Sequence, residues 1–470
     1  MLSKKDSNVI CPFCCHKFHA NMADFRLQTG EVLLDEKLYN YNIDILQLEK
    51  EEATKSATTY RAIIFEEQKD NITHNAEDIE KFGFVQEIAL KDTVAKTDQR
   101  LCPNCHNNLP IGYGLRDTVL ISVLGDARSG KSVFLTMLIH ELENNTDFVS
   151  KLTFIGDKKV RDIFHEMYQK PLLKEFTLVS STKRRRMPPY AFNFWYQYKN
   201  TAGVVEENTI DVIFYDIAGE DLRDDFSIRK HGFNIKDSSG LIFLVDPVSF
   251  NRLKDLFLFS DTALMDAIPE ENSTQAIFDN LYNFFVGMDI EKSKIPLALT
   301  LSKADLFRHV DFDFFKNKPE NRIQHVLKDE INKGAVNIPS IKGINEEVRE
   351  LLAYLGEESI LNNAIGCFKS VNCFAVSSLG KKPVVEQISD PTTNETIEKG
   401  FVDKPLAPFR VKDPFYWILM RNKLMLGYEN NHYNTYEKEP EKKQDKTSGE
   451  ENTDFWLKIK VFFAKLLQRK

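Results

Sequence analysis

Residues Gly125–Ser132 read Gly-Asp-Ala-Arg-Ser-Gly-Lys-Ser, and the reading of this stretch decides the fold. It fits G-x-x-x-x-G-K-[ST], a loop that wraps phosphate between a strand and a helix. The surroundings agree with that placement. The apolar run Thr118–Leu124 (TVLISVL) precedes the loop, and Ser132–Glu143 follows it with helical periodicity. Gly125 and Gly130 let the backbone curl, so that the N–H groups around Arg128 and Ser129 point inward at an anion. The helix N-terminus adds the positive end of its dipole. Lys131 is then placed to reach β- and γ-phosphates, and the Ser132 hydroxyl to reach Mg²⁺.

The chain beyond this helix alternates strand and helix patterns. Ala191–Tyr198 (AFNFWYQY) and Thr209–Tyr215 (TIDVIFY) read as strands separated by a polar turn, hence as a hairpin. The second runs into Asp216-Ile217-Ala218-Gly219-Glu220. A carboxylate at the end of a buried strand can hold a Mg²⁺-linked water, and a following glycine can offer its N–H to a γ-phosphate. Leu241–Val245 (LIFLV) is the next buried strand. Ile295–Leu301 leads into Ser302-Lys303-Ala304-Asp305, and Asn372–Val376 into Ser377-Ser378-Leu379. By resemblance to GTPases that carry such motifs, a threonine between the first helix and Ala191 would supply a hydroxyl to Mg²⁺, and Thr177 and Thr182 are the candidates. Thr182 is preferred, because it sits in the loop-like SSTKRRRMPP. The basic run Lys183–Arg186 reads as a solvated loop or as a contact to phosphates or a partner.

In order and spacing these four motifs resemble those of P-loop GTPases of the translation-factor-related class. That resemblance implies an α/β domain with a mostly parallel sheet, one antiparallel strand from the hairpin, and helices on both faces. Ser302–Asp305 is similar to the guanine-reading [NT]-K-x-D motif, with serine in place of Asn or Thr. In that family the lysine stem lies against the base and the aspartate accepts from guanine N1 and N2. Adenine lacks those donors and would leave the carboxylate unpaired, which is how such a site discriminates. Ser377 and Ser378 match the short base-contacting loop. The implied ligands are GTP, with Mg²⁺ held by Ser132, Thr182 and Asp216. Glu220 stands where the family carries a catalytic glutamine, which implies slow hydrolysis or dependence on a partner's arginine. Arg128 could act in cis or across a dimer.

The chain has 470 residues, enough for two or three domains, and 42% hydrophobic with 28% charged residues is ordinary for a globular protein. A net charge of −8 argues against general nucleic-acid binding. No apolar run approaches the ~20 residues of a membrane-spanning helix, and the N-terminus lacks the apolar centre of a secretory signal. A cytoplasmic location is expected. Cys11-Pro-Phe-Cys14 and Cys102-Pro-Asn-Cys105 are C-P-x-C knuckles suited to Zn²⁺. Three arrangements are open: one split four-cysteine site, two sites completed by Cys15, His16, His19 and His106, or redox-active pairs. The split site is preferred. The insert, about 20–100, mixes strand-like pieces (Glu31–Leu34, Tyr60–Phe65) with many charges and offers no chemistry.

At the other end, Glu429–Asp454 has no aliphatic residue and reads as a flexible linker. Phe455–Lys470 (FWLKIKVFFAKLLQRK) reads as a basic amphipathic helix that lies on a membrane surface, docks in a partner's groove or packs on its own domain. The expected organisation is therefore a zinc-knuckle module at 1–112, a GTPase domain at 113–427, a linker at 428–454 and a helix at 455–470. Zinc knuckles ahead of such a GTPase resemble bacterial double-GTPase conflict-system proteins. That likeness implies partner proteins (a second GTPase or an effector), a role in anti-phage defence and a peripheral place at the inner membrane surface. The expected function is a GTP-hydrolysing switch, with a nucleotide-stabilised scaffold of little turnover as the alternative.

Overall fold

The computed structural model describes residues 8–91, 95–126, 129–178, 188–200, 202–217, 222, 228, 232–253, 273–288, 290, 292–308, 326, 335–389, 396–429 and 432–434. Its centre is a seven-stranded sheet. The elements that place the site are β1 (Asp117–Gly125), α1 (Lys131–Glu143), β2 (Ser150–Phe154), β3 (Tyr190–Lys199), β4 (Val205–Asp216) and β5 (Gly240–Val245). After them come α2 (Ser273–Val286), β6 (Leu297–Leu301), α3 (Ile338–Leu355), α4 (Glu358–Cys367), β7 (Val371–Ala375) and α5 (Asp413–Arg421). The strand order is β2-β3-β4-β1-β5-β6-β7.

β1 pairs in parallel with β4 on one side and β5 on the other, and β6 and β7 continue the parallel array. Only β3 runs against its neighbours, antiparallel to both β2 and β4. This is the one reversed strand that the hairpin pattern predicts. The central strands β5 and β6 are buried at every residue, as expected of parallel strands covered on both sides. β2 escapes sequence reading: it is a short edge strand in which only Leu152 is buried.

Strand alternation shows which helix covers which face. Gly240 of β5 faces α5 so closely that a Cβ there would lie 2.5 Å from Ile418 Cγ2. Phe243, an odd number of residues along, points to the other face and stacks on Phe278 of α2 at 4.6 Å. Helices therefore lie on both faces. On the α5 side, Phe415 packs against Phe194 and Phe214 (5.7 and 6.0 Å), and Trp417 against Phe374 (5.8 Å).

The N-terminal part is a set of short strands and helices. Asn8–Ile10 pairs with Lys17–His19, and Asp24–Arg26 pairs with both Ala62–Ile63 and Arg100–Leu101. The segment read as one strand, 60–65, is broken. Thr58–Tyr60 pairs with Val32–Leu34, while Ala62–Ile63 joins a different sheet. The break falls at Arg61, whose N–H turns to Glu31 O. Three helices, Glu36–Asp44, Lys50–Ala57 and Ala76–Phe82, were not legible, although Asp35 and Asn75 cap two of them through their side chains.

At the C-terminal end the expected linker is at first paired. His432–Asn434 lies antiparallel to Gly427–Glu429, which is itself parallel to Val336–Asn337. Composition cannot see this, because backbone pairing with an existing strand needs no aliphatic side chain. The rest of the linker and the helix expected at Phe455–Lys470 lie outside the described residues. Among the described residues, no helix is long and apolar enough to cross a membrane.

Phe415 is fully buried at the centre of the α5 contact. Phe415→Ala is expected to cost about 3–5 kcal/mol, read as a lower denaturant midpoint for loss of the sheet domain.

Candidate functional site

The carboxyl ends of β1, β4, β5, β6 and β7 open on one edge of the sheet, where open α/β sheets bind ligands. At the β1 end, Gly125 has φ +145, and a Cβ there would lie 2.4 Å from Leu244 O. Only glycine allows this turn beside β5. Gly130, at φ +87, forms the N-cap of α1 in left-handed backbone. Between them Ser129 is buried, and its N–H and Oγ both reach Asp126 O (3.2 and 2.8 Å), so the turn is held from within. The Lys131 ammonium lies over the loop, donating to Gly125 O and Asp126 O at 2.9 and 2.7 Å.

β4 delivers Asp216 to the same place. Ser132 Oγ donates to Asp216 Oδ2 at 3.0 Å, joining two motifs that are 84 positions apart. Burial pushes the Asp216 carboxyl above its ordinary range, and the Lys131 charge and the Ser132 hydrogen bond pull it back. A hydroxyl and a desolvated carboxylate beside an ammonium are the donor set expected for a hard cation and a polyphosphate.

Further along the edge, Ser302 ends β6, with its N–H and Oγ donating to Val245 O at 2.9 and 3.2 Å. Lys303 takes left-handed backbone (φ +52), and its Nζ pairs with Asp246 Oδ2 at 2.5 Å. Asp305 is buried and accepts a short hydrogen bond from Ser377 Oγ, which in turn accepts from Gly380 N at 2.9 Å. Ser378, next along that loop, is half-buried. The structure thus brings the third and fourth motifs into contact. Asp246 was missed as a site residue. Its signal was there to find, since it ends an apolar strand just as Asp216 does.

Arg128, Thr182, Gly219 and Glu220 lie outside the described residues. Thr177, the other threonine considered for Mg²⁺, is buried, and its hydroxyl donates to Pro171 O at 3.4 Å. Its backbone bridges to Phe401. It is packing, not a loop residue turned to the site.

The cysteine pairs meet in one cluster. The Sγ atoms of Cys11, Cys14, Cys102 and Cys105 all lie within 4.8 Å of one another. Cys11–Cys105 and Cys14–Cys102 are each 3.7 Å apart, close to the ~3.8 Å edge of a tetrahedron with 2.3 Å metal–sulfur bonds. The two turns have matching backbones. Cys15 N donates to Cys11 O and His106 N to Cys102 O, with φ +52 at Cys15 and +51 at His106. Phe13 N, Asn104 N, Asn104 Nδ2 and Asn107 Nδ2 all donate to cysteine sulfurs at 3.3–3.4 Å. Such donors stabilise thiolates and hold the ligands in place.

The alternative of two locally completed sites is overturned. Cys15 faces Tyr215 and Asn234, His16 is exposed on Phe18, His19 Nδ1 caps Asn21, and His106 is engaged by carboxylates. His106 Nδ1 lies 2.9 Å from both Asp35 oxygens, and Arg26 Nη2 donates to Asp35 at 2.8 Å. Burial works to raise the Asp35 carboxyl, but these partners overcome it and hold it at about 2. Burial likewise works to lower His106, but Asp24 and Asp35 raise it. The second knuckle is thereby tied to the insert.

Residues 119–352 match the model of the family described as Double-GTPase 2. A protein of Mycolicibacterium smegmatis, proposed as the ESX-1 scaffolding and assembly protein SaeC, is 23% identical over 338 residues, covering 68% of this chain and 78% of that protein. Among solved structures, Sup35 complexed with GMPPNP is similar at 9% identity, covering 57% of this chain and 39% of its own, with a TM-score of 0.22. The GTP-bound GTPase-like domain of Ski7 from S. cerevisiae is similar at 15% identity, covering 66% and 50%, with a TM-score of 0.28. The chain therefore spans half or less of the solved chains it resembles.

Elemental analysis of the native chain is expected to find about one tightly held metal ion, as one four-thiolate site requires. Cys102→Ser should release it and lower the stability of the N-terminal module. About two ions per chain, or a metal-free folded chain, would contradict the single-site geometry.

Proposed function

We propose that this chain is a GTP-binding protein that hydrolyses GTP slowly and acts as a switch for partner proteins, with Zn²⁺ in its four-cysteine site. One observation carries the reading. The Ser132–Asp216 pair and the Lys303–Asp246 and Ser377–Asp305 pairs open along one sheet edge, in the strand order that a phosphate-to-base ligand requires. In this reading Gly125–Ser132 cradles the phosphates, with Arg128 and Ser129 in the loop and Lys131 on the β- and γ-groups. Ser132, Asp216 and Thr182 are the residues that would hold Mg²⁺, which supplies charge neutralisation at the phosphates. The stem of Lys303, steadied by Asp246, lies along the base, and Asp305 accepts from guanine. Gly219 and Glu220 meet the γ-phosphate and the attacking water.

The module at 1–112 and the GTPase domain at 113–427 form the working body of the protein. Guanine nucleotide and partner proteins are its ligands, in the cytoplasm. A second reading, a nucleotide-stabilised scaffold with little turnover, is favoured by the description of the M. smegmatis relative as a scaffolding and assembly protein. Glu220 in place of glutamine suits it as well. Multiple-turnover assays with purified zinc-loaded protein separate the two. Phosphate release beyond one equivalent supports the switch, and retained GTP without turnover supports the scaffold.

Asp305→Ala should weaken GTP binding roughly ten- to hundred-fold, the effect of losing hydrogen bonds to a charged acceptor at about 1.5–3 kcal/mol. Asp305→Asn should shift preference toward xanthine nucleotides. Equal affinity of the native chain for ATP and GTP in competition binding would contradict the base assignment. Lys131→Ala should abolish nucleotide binding while leaving the metal content unchanged, and native GTP affinity in that variant would withdraw the phosphate assignment.

A further inference from the structure

Asp216 and Tyr215 are neighbours at the end of β4, and strand alternation sends them to opposite faces. Asp216 goes to Ser132 and the nucleotide edge. Tyr215 is buried on the other face, where its Oη donates to Pro12 O at 2.7 Å. Pro12 lies inside the first metal knuckle, between the ligands Cys11 and Cys14. One peptide bond therefore joins the residue expected to serve Mg²⁺ to a residue held by the cysteine cluster.

A second contact to the same knuckle lies further along the chain. Downstream of the segment that carries Gly219 lies the short helix Phe233–Lys236. There the Cys15 thiol donates to Asn234 Oδ1 at 3.1 Å, and Lys17 Nζ pairs with Asp237 at 2.6 Å. Asn234 O also accepts from Ser122 and Ser238 Oγ (3.4 and 2.6 Å), which ties this turn to β1. Both flanks of the stretch that carries Asp216-x-x-Gly219 are thus anchored on one knuckle. The positions of Pro12 O and the Cys15 thiol depend in turn on the knuckle backbone. That backbone is closed by Cys11 N to His16 O and Cys15 N to Cys11 O (2.9 and 3.0 Å), and by the left-handed Cys15. Binding of a metal by four thiolates is what makes such a turn stable, because its binding free energy is folding free energy.

We infer that Tyr215 and Asn234 are positioning residues through which the four-cysteine metal centre holds the nucleotide site in its binding geometry, so that metal and guanine nucleotide bind with positive coupling. This inference rests on the GTP and zinc assignments above. Linkage then requires the effect to run both ways by the same factor.

The test uses the full chain, Zn²⁺, and Mg²⁺ with fluorescent GTP or GDP. Zinc affinity is measured by competition with a chromogenic chelator, with and without saturating nucleotide. Nucleotide affinity is measured on zinc-loaded and zinc-stripped protein. Nucleotide should tighten zinc by about five-fold or more, and zinc should tighten nucleotide by the same factor. Tyr215→Phe keeps the ring and the zinc but should bring the factor close to one. If that variant fails to fold by circular dichroism, Lys17→Ala, at an exposed side chain, takes its place and should lower the factor. Nucleotide binding with unchanged zinc affinity overturns the inference and leaves the GTP assignment standing. Full coupling in folded Tyr215→Phe overturns the route through Tyr215. A native chain that binds zinc but no guanine nucleotide overturns the GTP assignment, and the inference with it.

Discussion

The parallel pairing of β1 with β4 and β5 is the constraint on which everything else rests. Val123 sits opposite Asp216, and Gly125 opposite Leu244. With that register the loop after β1 emerges beside the carboxylate that ends β4 and the aspartate that follows β5. A slip of one residue would turn Asp216 to the face where Tyr215 now lies and separate it from Ser132. The register is secured by burial, because the paired segments Val119–Gly125 of β1, Ile210–Tyr215 of β4 and Gly240–Val245 of β5 are buried at every residue.

The N-terminal module is built differently. Its strands are two or three residues long, too short to carry a large core of their own. A small separate cluster gathers Phe25, Ile63, Phe65, Ile72, Val85 and Ile88. The knuckle residues instead join the apolar core of the sheet domain, where Cys11, Phe18, Tyr41, Phe84 and Tyr113 continue the packing of β1 and β4. Polar ties do the rest: Arg26, Asp24, Asp35 and His106 form a buried network that locks the insert to the second knuckle. Removing one member of such a network leaves an uncompensated buried charge, which costs about 3–5 kcal/mol. Where a metal is bound by thiolates from two such turns, its binding free energy adds to the folding free energy.

Motifs in which glycine, lysine, serine and aspartate occur at set spacings were legible because local backbone chemistry demands them. The turn at Gly125 and the cap at Gly130 need residues that accept positive φ. The hairpin and the buried strands were legible through period and apolar runs. The insert was not, since its helices carry few buried side chains and its strands pair far along the chain. The burial of Thr177 could not be read from residue type, because only packing sets it.

The sequence by itself determined the apolar strands β1 and β3 to β7 with the short motifs that follow them, and the two knuckles, since each depends on residues within one short segment. Tertiary structure alone decided the rest. It chose one four-cysteine site over two, gave Lys303 its partner Asp246, and set Tyr215 against Pro12. Those are contacts between segments 57 to 203 positions apart. No local pattern encodes them, because they arise only when burial of the common core brings the segments together.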